Sequence, residues 1–361
     1  MKACIFCGKV SNKNSDLKTN IYKLGANTGN MCFWHSLGST LEADMKTVGE
    51  CVGESFRASN YSSFVTTELI WIRENIDFPT VEQQLKIVGD APLVPISVGL
   101  QCWKKKKNFS LHPNTVKILS RIQERCVLGV RGEYTADVLN SYGIKNLKVI
   151  GCPSMYYSFD YNFKIRKSDA EIRKVSMNMR AMYSELKPEE VAFLEYGADR
   201  NYTFVEQTEQ AFLPSICKDP VKFEKIAKWF NLNKRFFLDI NDWISCISEM
   251  DFSLGCRFHG NIVSLWNRIP ALFIVIDSRT MELCEHFSLP MISLTDFDPK
   301  KDIRYYYDLA DYTEFNKIYP KRLDEYIDFL KSNHLPIKKN CDAYYDRKIA
   351  QLQDKIQKII K

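Results

Sequence analysis

The most constraining feature of this sequence is the alternation of short apolar segments with segments of helical periodicity. The apolar segments end at turn-forming residues. Among the segments between them, residues 114–124 place Val116, Leu119 and Ile122 on one helical face. This alternation is typical of an α/β protein with parallel sheets. The predicted strands are residues 20–25, 63–67, 93–101, 127–131, 147–154, 174–180, 202–207, 235–238, 250–254 and 271–277, and the predicted helices are residues 31–41, 114–124, 134–141, 222–230, 240–249 and 324–330.

The length and composition indicate two globular domains. A chain of 361 residues is longer than a single hydrophobic core usually supports. Apolar residues make up 45% and charged residues 26% of the chain, which is typical of a soluble protein, and no apolar stretch is long enough to span a membrane. The amino-terminal segment lacks the apolar core of a signal peptide. We therefore expect a cytoplasmic protein.

The net charge of +6 is modest for this length and is concentrated in lysine runs such as Lys104–Lys107. Such runs are either solvated loops or surfaces that attract an anionic membrane, and the sequence leaves peripheral membrane association open. The apolar stripe of Ile349, Leu352, Ile356 and Ile359 is likewise either a packing face or one side of a membrane-lying helix. No nucleic-acid-binding motif accompanies the charge, so we expect no nucleic-acid partner.

The twelve cysteines are scattered through the chain, as expected of free thiols in a reducing compartment. Cys4 and Cys7 have the spacing of half a zinc or redox site. No second pair follows at metal-ligand spacing, however. We therefore interpret this pair as structural and expect no metal site.

The segment Gly255–Asn261 holds an arginine and a histidine two positions apart, where a predicted strand turns into a helix. The N–H groups and the dipole at a helix N-terminus favour phosphate or carboxylate, and the planar fork of Arg257 suits either group. His259 adds a group that exchanges a proton near neutral pH. The segment therefore indicates an anion site, although a surface arginine beside a capping histidine would give the same pattern.

Other polar residues stand at the predicted ends of strands, where α/β proteins bind ligands. In the second half these are Arg180, Gln207 and Asp277. Asp277 is equally well interpreted as the N-cap of the next helix, which also carries Arg279 and Glu282.

Two strand-end segments of the first half are further candidates. The segment Asn27–Asn30 either makes a tight turn or cradles a group of the ligand. Arg131 directly follows apolar residues of a predicted strand and faces either a ligand or the opposite domain.

Five segments together give the sequence a resemblance to the polysaccharide pyruvyltransferase family. Their order and spacing carry the resemblance, and the Arg-aromatic-His element of the last segment is the most recognisable part. The segments are Asn27–Asn30, Ile96–Gln101, Gly129–Glu133, Gly151–Ser154 and Gly255–Gly260.

The resemblance implies a fold of two facing Rossmann-like domains, as in GT-B glycosyltransferases, with a C-terminal helix. Residues 1–160 would form an N-terminal domain that binds the acceptor. Residues 161–335 would form a C-terminal domain that binds the donor, phosphoenolpyruvate. Residues 336–361 would form the C-terminal helix.

The activity that the resemblance implies is that of a phosphoenolpyruvate-dependent ketal pyruvyltransferase. Such an enzyme transfers pyruvate from phosphoenolpyruvate, a co-substrate rather than a cofactor, to two hydroxyls of a hexose and releases phosphate. The implied acceptor is a lipid-linked intermediate of a capsule or exopolysaccharide at the inner face of the membrane. Two alternatives remain: a GT-B glycosyltransferase that uses a nucleotide sugar, and a non-catalytic member that binds glycans within an assembly complex.

The resemblance also assigns roles to individual residues. His259 is the expected acid, Arg257 the main clamp on the donor, and Arg180 a second clamp. The expected donor contacts are Arg180, Gln207, Arg257, His259, Gly260 and Arg279, of which Gln207 and Arg279 are expected from their positions only. The expected acceptor contacts are Asn27, Asn30 and Arg131. No acidic residue stands out as the base, and Asp277 and Glu282 are the candidates.

Two positions depart from the family pattern. Phe258 replaces the commoner leucine, which should preserve packing. The segment Tyr61–Ile72 lacks a glycine pair that many relatives carry, which leaves the acceptor contacts open. The acceptor sugar, the bridged hydroxyls, the ketal configuration and the oligomeric state are not defined by the sequence.

Overall fold

The computed structural model describes residues 1–10, 16–180, 186–208 and 219–338. The strands of these residues are β1 (Lys2–Phe6), β2 (Ala43–Lys46), β3 (Tyr61–Thr66), β4 (Leu93–Pro95), β5 (Leu128–Val130), β6 (Leu147–Val149), β7 (Val175–Asn178), β8 (Thr203–Glu206), β9 (Lys234–Phe236), β10 (Phe252–Gly255), β11 (Ala271–Val275) and β12 (Met291–Ser293). The helices are α1 (Leu17–Lys23), α2 (Asn30–Thr40), α3 (Val48–Val52), α4 (Pro79–Val88), α5 (Pro113–Gln123), α6 (Glu133–Ser141), α7 (Pro188–Arg200), α8 (Pro220–Asn233), α9 (Ile240–Ile247), α10 (Phe258–Trp266), α11 (Ser278–Phe287), α12 (Ile303–Leu309) and α13 (Thr313–Ser332).

The strands form two main sheets, one in each half of the chain. The first sheet has the order β2-β1-β3-β4, and the second has the order β12-β11-β10-β7-β8-β9. All strand pairs within both sheets are parallel. A parallel bridge between Val98 and Val130 connects the end of the first sheet to the parallel pair β5-β6. The predicted α/β fold with two parallel sheets is confirmed.

Burial explains why these segments form strands and helices. All five residues of β11 are buried, as expected of a central parallel strand that is covered on both faces. On α5, Leu119 and Ile122 are buried while Val116 is half-buried, so the predicted apolar face packs inward. Pro113 starts this helix, where a missing N–H has no consequence.

The prediction of a strand at residues 20–25 is wrong, because this region contains α1. The Asp16 carboxylate accepts a hydrogen bond from the Thr19 N–H at 2.9 Å and caps the helix. Only Asn20 and Ile21 are buried on this short helix, so its apolar spacing is too brief to distinguish a helix from a strand. The edge strand β2 was not predicted, since all four of its side chains are half-buried and show no alternation.

The end of the described chain returns to the first sheet. After α13, the Asn333 Oδ1 accepts a hydrogen bond from the Val127 N–H at 2.8 Å, and Ile337 forms an antiparallel bridge with Leu41. Residues 339–361, with most of the predicted C-terminal helix and its stripe of Ile349, Leu352, Ile356 and Ile359, lie outside the described residues. The domain boundaries at residues 160 and 335 stay predictions. No helix within the described ranges is long and apolar enough to cross a membrane.

Candidate active site

A cavity of about 1020 Å³ lies where strands of both sheets end. Ligands of open parallel sheets bind at this edge. Lining residues that directly follow a strand are Cys7, Thr67, Arg131, Gln207, Cys256 and Ile276. The predicted site residues that line the cavity are Asn27, Asn30, Arg131, Arg180, Gln207, Arg257, His259, Asp277 and Arg279. The structure therefore brings together predicted residues from both halves of the chain, whereas Gly260 and Glu282 are not among the lining residues.

Asn178, the last residue of β7, shapes the segment that carries Arg257. Its Oδ1 accepts a hydrogen bond from the Arg257 N–H at 2.7 Å, and its Nδ2 donates to the Asn261 Oδ1 at 3.0 Å. A Cβ atom at Gly255 would lie 2.2 Å from the Asn178 Oδ1, and one at Gly260 would lie 2.6 Å from its Cγ. Both glycines are therefore required for the close approach of Asn178, and Gly260 packs behind the cavity wall.

Arg257 connects the second half of the chain to the early loop. Its Nη2 donates a hydrogen bond to the Asn27 Oδ1 at 3.1 Å, and the same oxygen accepts from the Gly29 N–H at 3.0 Å. The Asn30 Nδ2 donates to the Leu24 carbonyl at 2.9 Å. These two predicted acceptor contacts are thus already engaged with protein groups, and their acceptor role stays a prediction.

Three arginines surround the cavity wall near His259. Arg131 is only 2% exposed, and its Nε donates to the Ser97 Oγ at 3.0 Å. Burial and the nearby Arg279 guanidinium lower the pKa of Arg131 to about 10. Ser97 has a φ of +67°, a left-handed conformation that is uncommon for serine. Arg279 pairs with Asp277 at 3.7 Å, and Arg131 and Arg257 add further positive charge beside His259, which favours an anionic ligand.

His259 projects from the first turn of α10 and is partly exposed to the cavity. Its ring lies edge-on to that of Phe33, with centroids 5.6 Å apart, and its Nε2 is 3.6 Å from the buried Cys152 Sγ. Burial, together with the guanidiniums of the surrounding arginines, holds the pKa of His259 well below its usual range. The imidazole is therefore neutral at pH 7, and the expected role of His259 as an acid stays a prediction.

Arg180 is engaged by a carboxylate that the sequence did not reveal. The Arg180 Nη2 donates to the Glu190 Oε2 at 2.8 Å, and its Nε bonds the other carboxylate oxygen. Glu190 is 2% exposed and stands in the first turn of α7. Arg180 lines the cavity, but part of its fork faces Glu190, so its role as a second donor clamp stays a prediction.

The two candidate bases differ in their positions. Asp277 caps α11 by accepting from the Thr280 N–H at 2.8 Å, and it also lines the cavity, so both interpretations from the sequence describe its placement. Glu282 lies behind the wall, where its carboxylate accepts from the Thr135 hydroxyl at 2.7 Å. Burial raises the pKa of Glu282 to about 7. Glu282 thus joins α11 to α6, and its predicted role as a base has no support from its position.

Gln207 presents a polar group with no partner. It is 1% exposed and lines the cavity, and its Nε2 has no hydrogen bond to any described residue. A buried amide N–H₂ without an acceptor is costly, unless a ligand oxygen supplies one. This observation agrees with the predicted donor contact.

Three residues that line the cavity on the first-sheet side were not predicted from the sequence. Glu68 follows β3 by two residues, and Trp71 and Trp103 are 36% and 63% exposed. The signal for Glu68 was its position at a strand end, but the segment was noted only for its lack of glycines. Within the described ranges, no group of three or more His, Cys, Asp or Glu side chains is placed to hold a metal ion.

Comparison with known proteins identifies one matching family. The family model of polysaccharide pyruvyl transferases matches residues 82–278, which include the arginine and histidine of the Gly255–Asn261 segment. A search of curated proteins finds no match.

Several solved structures are similar to this chain at low identity. The S. aureus MnaA-UDP co-structure is 13% identical with a TM-score of 0.42, over 92% of this chain and 98% of that chain. UDP-GlcNAc 2-epimerase from Neisseria meningitidis, bound to UDP-GlcNAc, is 11% identical with a TM-score of 0.40, over 92% of this chain and 100% of that chain. We draw nothing about function from similarities at this level. The family model, in contrast, covers more than half of the sequence, and the chain belongs to the polysaccharide pyruvyl transferase family.

Proposed function

We propose that this protein transfers pyruvate from phosphoenolpyruvate to two hydroxyls of a sugar, which forms a cyclic ketal and releases phosphate. The observation that carries the proposal is the group of Arg131, Arg257 and Arg279 around His259, in a cavity at the ends of strands from both sheets. Phosphoenolpyruvate is a small ligand with both a phosphate and a carboxylate, which are the groups that guanidinium forks bind.

The donor would bind on the wall formed by the second half of the chain. Its anionic groups would be held by Arg257 and Arg279 and by the free N–H groups at the start of α10, where the helix dipole favours negative charge. The unpartnered Gln207 Nε2 supplies a further donor for a ligand oxygen. Together these groups would satisfy both ends of a compact dianionic or trianionic molecule.

Donor binding would also supply the missing acid. The arginines that lower the pKa of His259 would be neutralised by the phosphate and carboxylate of the donor. His259 would then take up a proton and deliver it to the methylene carbon of the donor. The resulting cationic carbon centre is attacked by one sugar hydroxyl, phosphate departs, and the second hydroxyl closes the ketal.

The acceptor in this proposal is a hexose of a surface-polysaccharide precursor, carried on a lipid at the cytoplasmic face of the membrane. This part rests on the family alone. The exposed aromatic residues Trp71 and Trp103 at the cavity fit the apolar face of a sugar ring.

The test is incubation of the purified full chain with phosphoenolpyruvate and a panel of aryl β-galactosides and aryl N-acetyl-β-hexosaminides. We expect phosphate release that depends on the acceptor, and a product whose mass has increased by one pyruvate ketal. Arg257→Lys should lower the rate roughly 100-fold because one ammonium cannot replace a bidentate fork. Arg304→Lys, a change on the exposed surface of α12, is the matched control and should keep full activity. Turnover of UDP-sugars with no phosphate release from phosphoenolpyruvate would overturn the proposal in favour of glycosyl transfer.

A further inference from the structure

Glu68 is a carboxylate that lines the cavity and that no described protein group engages. It lies in a 3₁₀ turn (Glu68–Trp71) directly after the end of β3 and lines the cavity from the first-sheet side. The preceding residue, Thr67, is fixed because its Oγ1 accepts a hydrogen bond from the Trp34 Nε1 at 3.1 Å. Within the described part of the chain, the Glu68 carboxylate has no hydrogen bond and no ion pair, although its backbone N–H donates to the Thr66 Oγ1.

Other carboxylates in or near the cavity are each held by a protein donor. An engaged carboxylate has fewer lone pairs with which to accept the hydroxyl of a ligand. The engaged carboxylates and their partners are Asp277 with the Thr280 N–H, Glu190 with Arg180, Glu206 with the Thr208 N–H, and Glu282 with Thr135. Glu68 thus differs from them in being free to accept a proton from a ligand.

We infer that Glu68 is the base that receives the proton of the attacking sugar hydroxyl, and that the sugar binds against the turn formed by Glu68, Ile70 and Trp71. This inference rests on the proposed function and names the acceptor side of the same cavity. It also identifies a catalytic residue in the segment that departs from the family pattern, Tyr61–Ile72.

The surroundings of Glu68 suit this role. Burial raises the pKa of Glu68, which brings its basicity closer to neutral pH. Ile70 and Trp71 both line the cavity beside it, and Trp71 is 36% exposed, so an apolar surface adjoins a hydrogen-bond acceptor. A pyranose presents the same combination of an apolar C–H face and hydroxyl edges.

The position of Glu68 also keeps like charges apart. Arg257, Arg279 and α10 belong to the second half, whereas Glu68 follows a strand of the first sheet, so the anionic donor and the carboxylate approach the sugar from different walls. Phe33 and Trp34, on the first turns of α2, connect the two walls: Phe33 contacts His259, and Trp34 bonds Thr67. This separation avoids the repulsion that would result if the base stood beside the phosphate.

The step balances without any further reactant. A lone pair of the sugar oxygen forms the bond to C2 of the donor, the O–H electron pair stays on that oxygen, and the proton moves to Glu68. The C2–O bond to phosphate breaks, and its electron pair leaves with phosphate. The two sugar hydroxyls lose two protons per turnover. One of these protons replaces the proton that was delivered to C3, and the other leaves on phosphate. Glu68 therefore ends the cycle ionised.

The experiment compares Glu68→Gln with Glu74→Gln in the purified full chain. Glu74 is a control six positions along the chain from Glu68, because it pairs with Lys106 and is not among the cavity-lining residues. For Glu68→Gln with phosphoenolpyruvate and an aryl β-galactoside or aryl N-acetyl-β-hexosaminide that the wild type uses, we expect kcat to fall roughly 100-fold to 10,000-fold. The KM for phosphoenolpyruvate and the midpoint of thermal unfolding should not change, and the residual rate should lose the acidic limb of the pH profile. Glu74→Gln should match the wild type.

Two outcomes separate this inference from the proposed function. If the wild type releases no phosphate with any acceptor, while phosphoenolpyruvate fails to bind in calorimetry, the proposed function is wrong. If the wild type is active and Glu68→Gln keeps its kcat, or loses only its affinity for phosphoenolpyruvate, Glu68 is not the base. A Glu68→Asp variant that recovers part of kcat would support proton transfer rather than a purely structural role.

Discussion

Arg257 donates a hydrogen bond from its Nη2 to the Asn27 Oδ1 at 3.1 Å, although the two residues are 230 positions apart in sequence. The contact joins the motif of the second half to the first polar loop of the chain. Because Asn27 is neutral, it orients the guanidinium without cancelling its charge. The position of the guanidinium is therefore fixed in part from the opposite half.

The Asn27 contact predicts that Asn27→Asp weakens donor binding. A carboxylate at this position would form a charge-assisted bond with Arg257 and compete with phosphoenolpyruvate for the same guanidinium. We expect the KM for phosphoenolpyruvate to rise about tenfold, with a smaller change in kcat. Steady-state phosphate release measures both. Asn162→Asp, at an exposed position, is the control, and an unchanged KM in Asn27→Asp would show that Arg257 does not bind the donor.

Replacing Asn178 should destabilise the fold and disturb the motif together. Asn178 is fully buried. Asn178→Ala removes the acceptor of the Arg257 N–H and the group that donates to the Asn261 Oδ1. We expect the free energy of unfolding to fall by about 1–3 kcal/mol, measured by urea denaturation. Activity should fall further than stability explains, because Arg257 loses its support. If activity persists at full rate in the folded variant, Asn178 does not position Arg257.

Donor binding should be accompanied by proton uptake at His259. The pKa of His259 lies well below its usual range, so the imidazole is neutral at pH 7 and gains a proton once an anion offsets the arginines. Calorimetry with phosphoenolpyruvate in buffers of different ionisation enthalpy measures this uptake. His259→Gln should abolish it, whereas His334→Gln, at an exposed position, should not. Equal uptake in the wild type and His259→Gln would contradict this prediction.

The stability of the protein should decrease in mild acid through His286. Burial and the Arg322 guanidinium lower the pKa of His286 to about 3, whereas an unfolded histidine titrates near pH ~6.5. The unfolded state therefore binds more protons below that pH, so the contribution of His286 is present above pH ~6.5 and is lost as the pH falls, by about 1.4 kcal/mol per unit.

The measurement is the difference in unfolding free energy between the wild type and His286→Gln from pH 7 to 5. The raised pKa of Glu282, about 7, makes the free energy of unfolding increase as the pH falls. Because this effect is the same in both proteins, the difference between them isolates His286. The advantage of the wild type should shrink steadily as the pH falls. A difference that does not depend on pH would mean that His286 is protonated in the folded state.

The fold class and the location of the site follow from local patterns that a sequence displays. Apolar runs bounded by turns marked β10 and β11, and the glycines around Arg257 and His259 marked the turn between strand and helix. These features depend on residues close together in the chain, so periodicity and spacing reveal them. Segment α1 was missed because one short helix offers too little periodicity.

The partners of the site residues depend on tertiary contacts and were not predictable. Nothing in the sequence pairs Asn178 with the Arg257 N–H or Glu190 with the Arg180 fork, since each pair forms only when separate elements meet. The low pKa of His259 has the same origin, because Arg131 comes from the first half of the chain. Glu68 resembled any strand-end residue until the structure placed it in the cavity lining, where its carboxylate has no hydrogen bond or ion pair to the described residues.

Gly255 and Gly260 hold the motif against Asn178 from behind, and this arrangement separates the shape of the loop from the groups it displays. Asn178 fixes the backbone path of the segment, while Arg257 and His259 line the cavity. The side chains at positions 257 and 259 can therefore change without loss of the backbone path of the loop. The same scaffold would tolerate a different pair of reactive groups, and hence a different anion, before its architecture had to change.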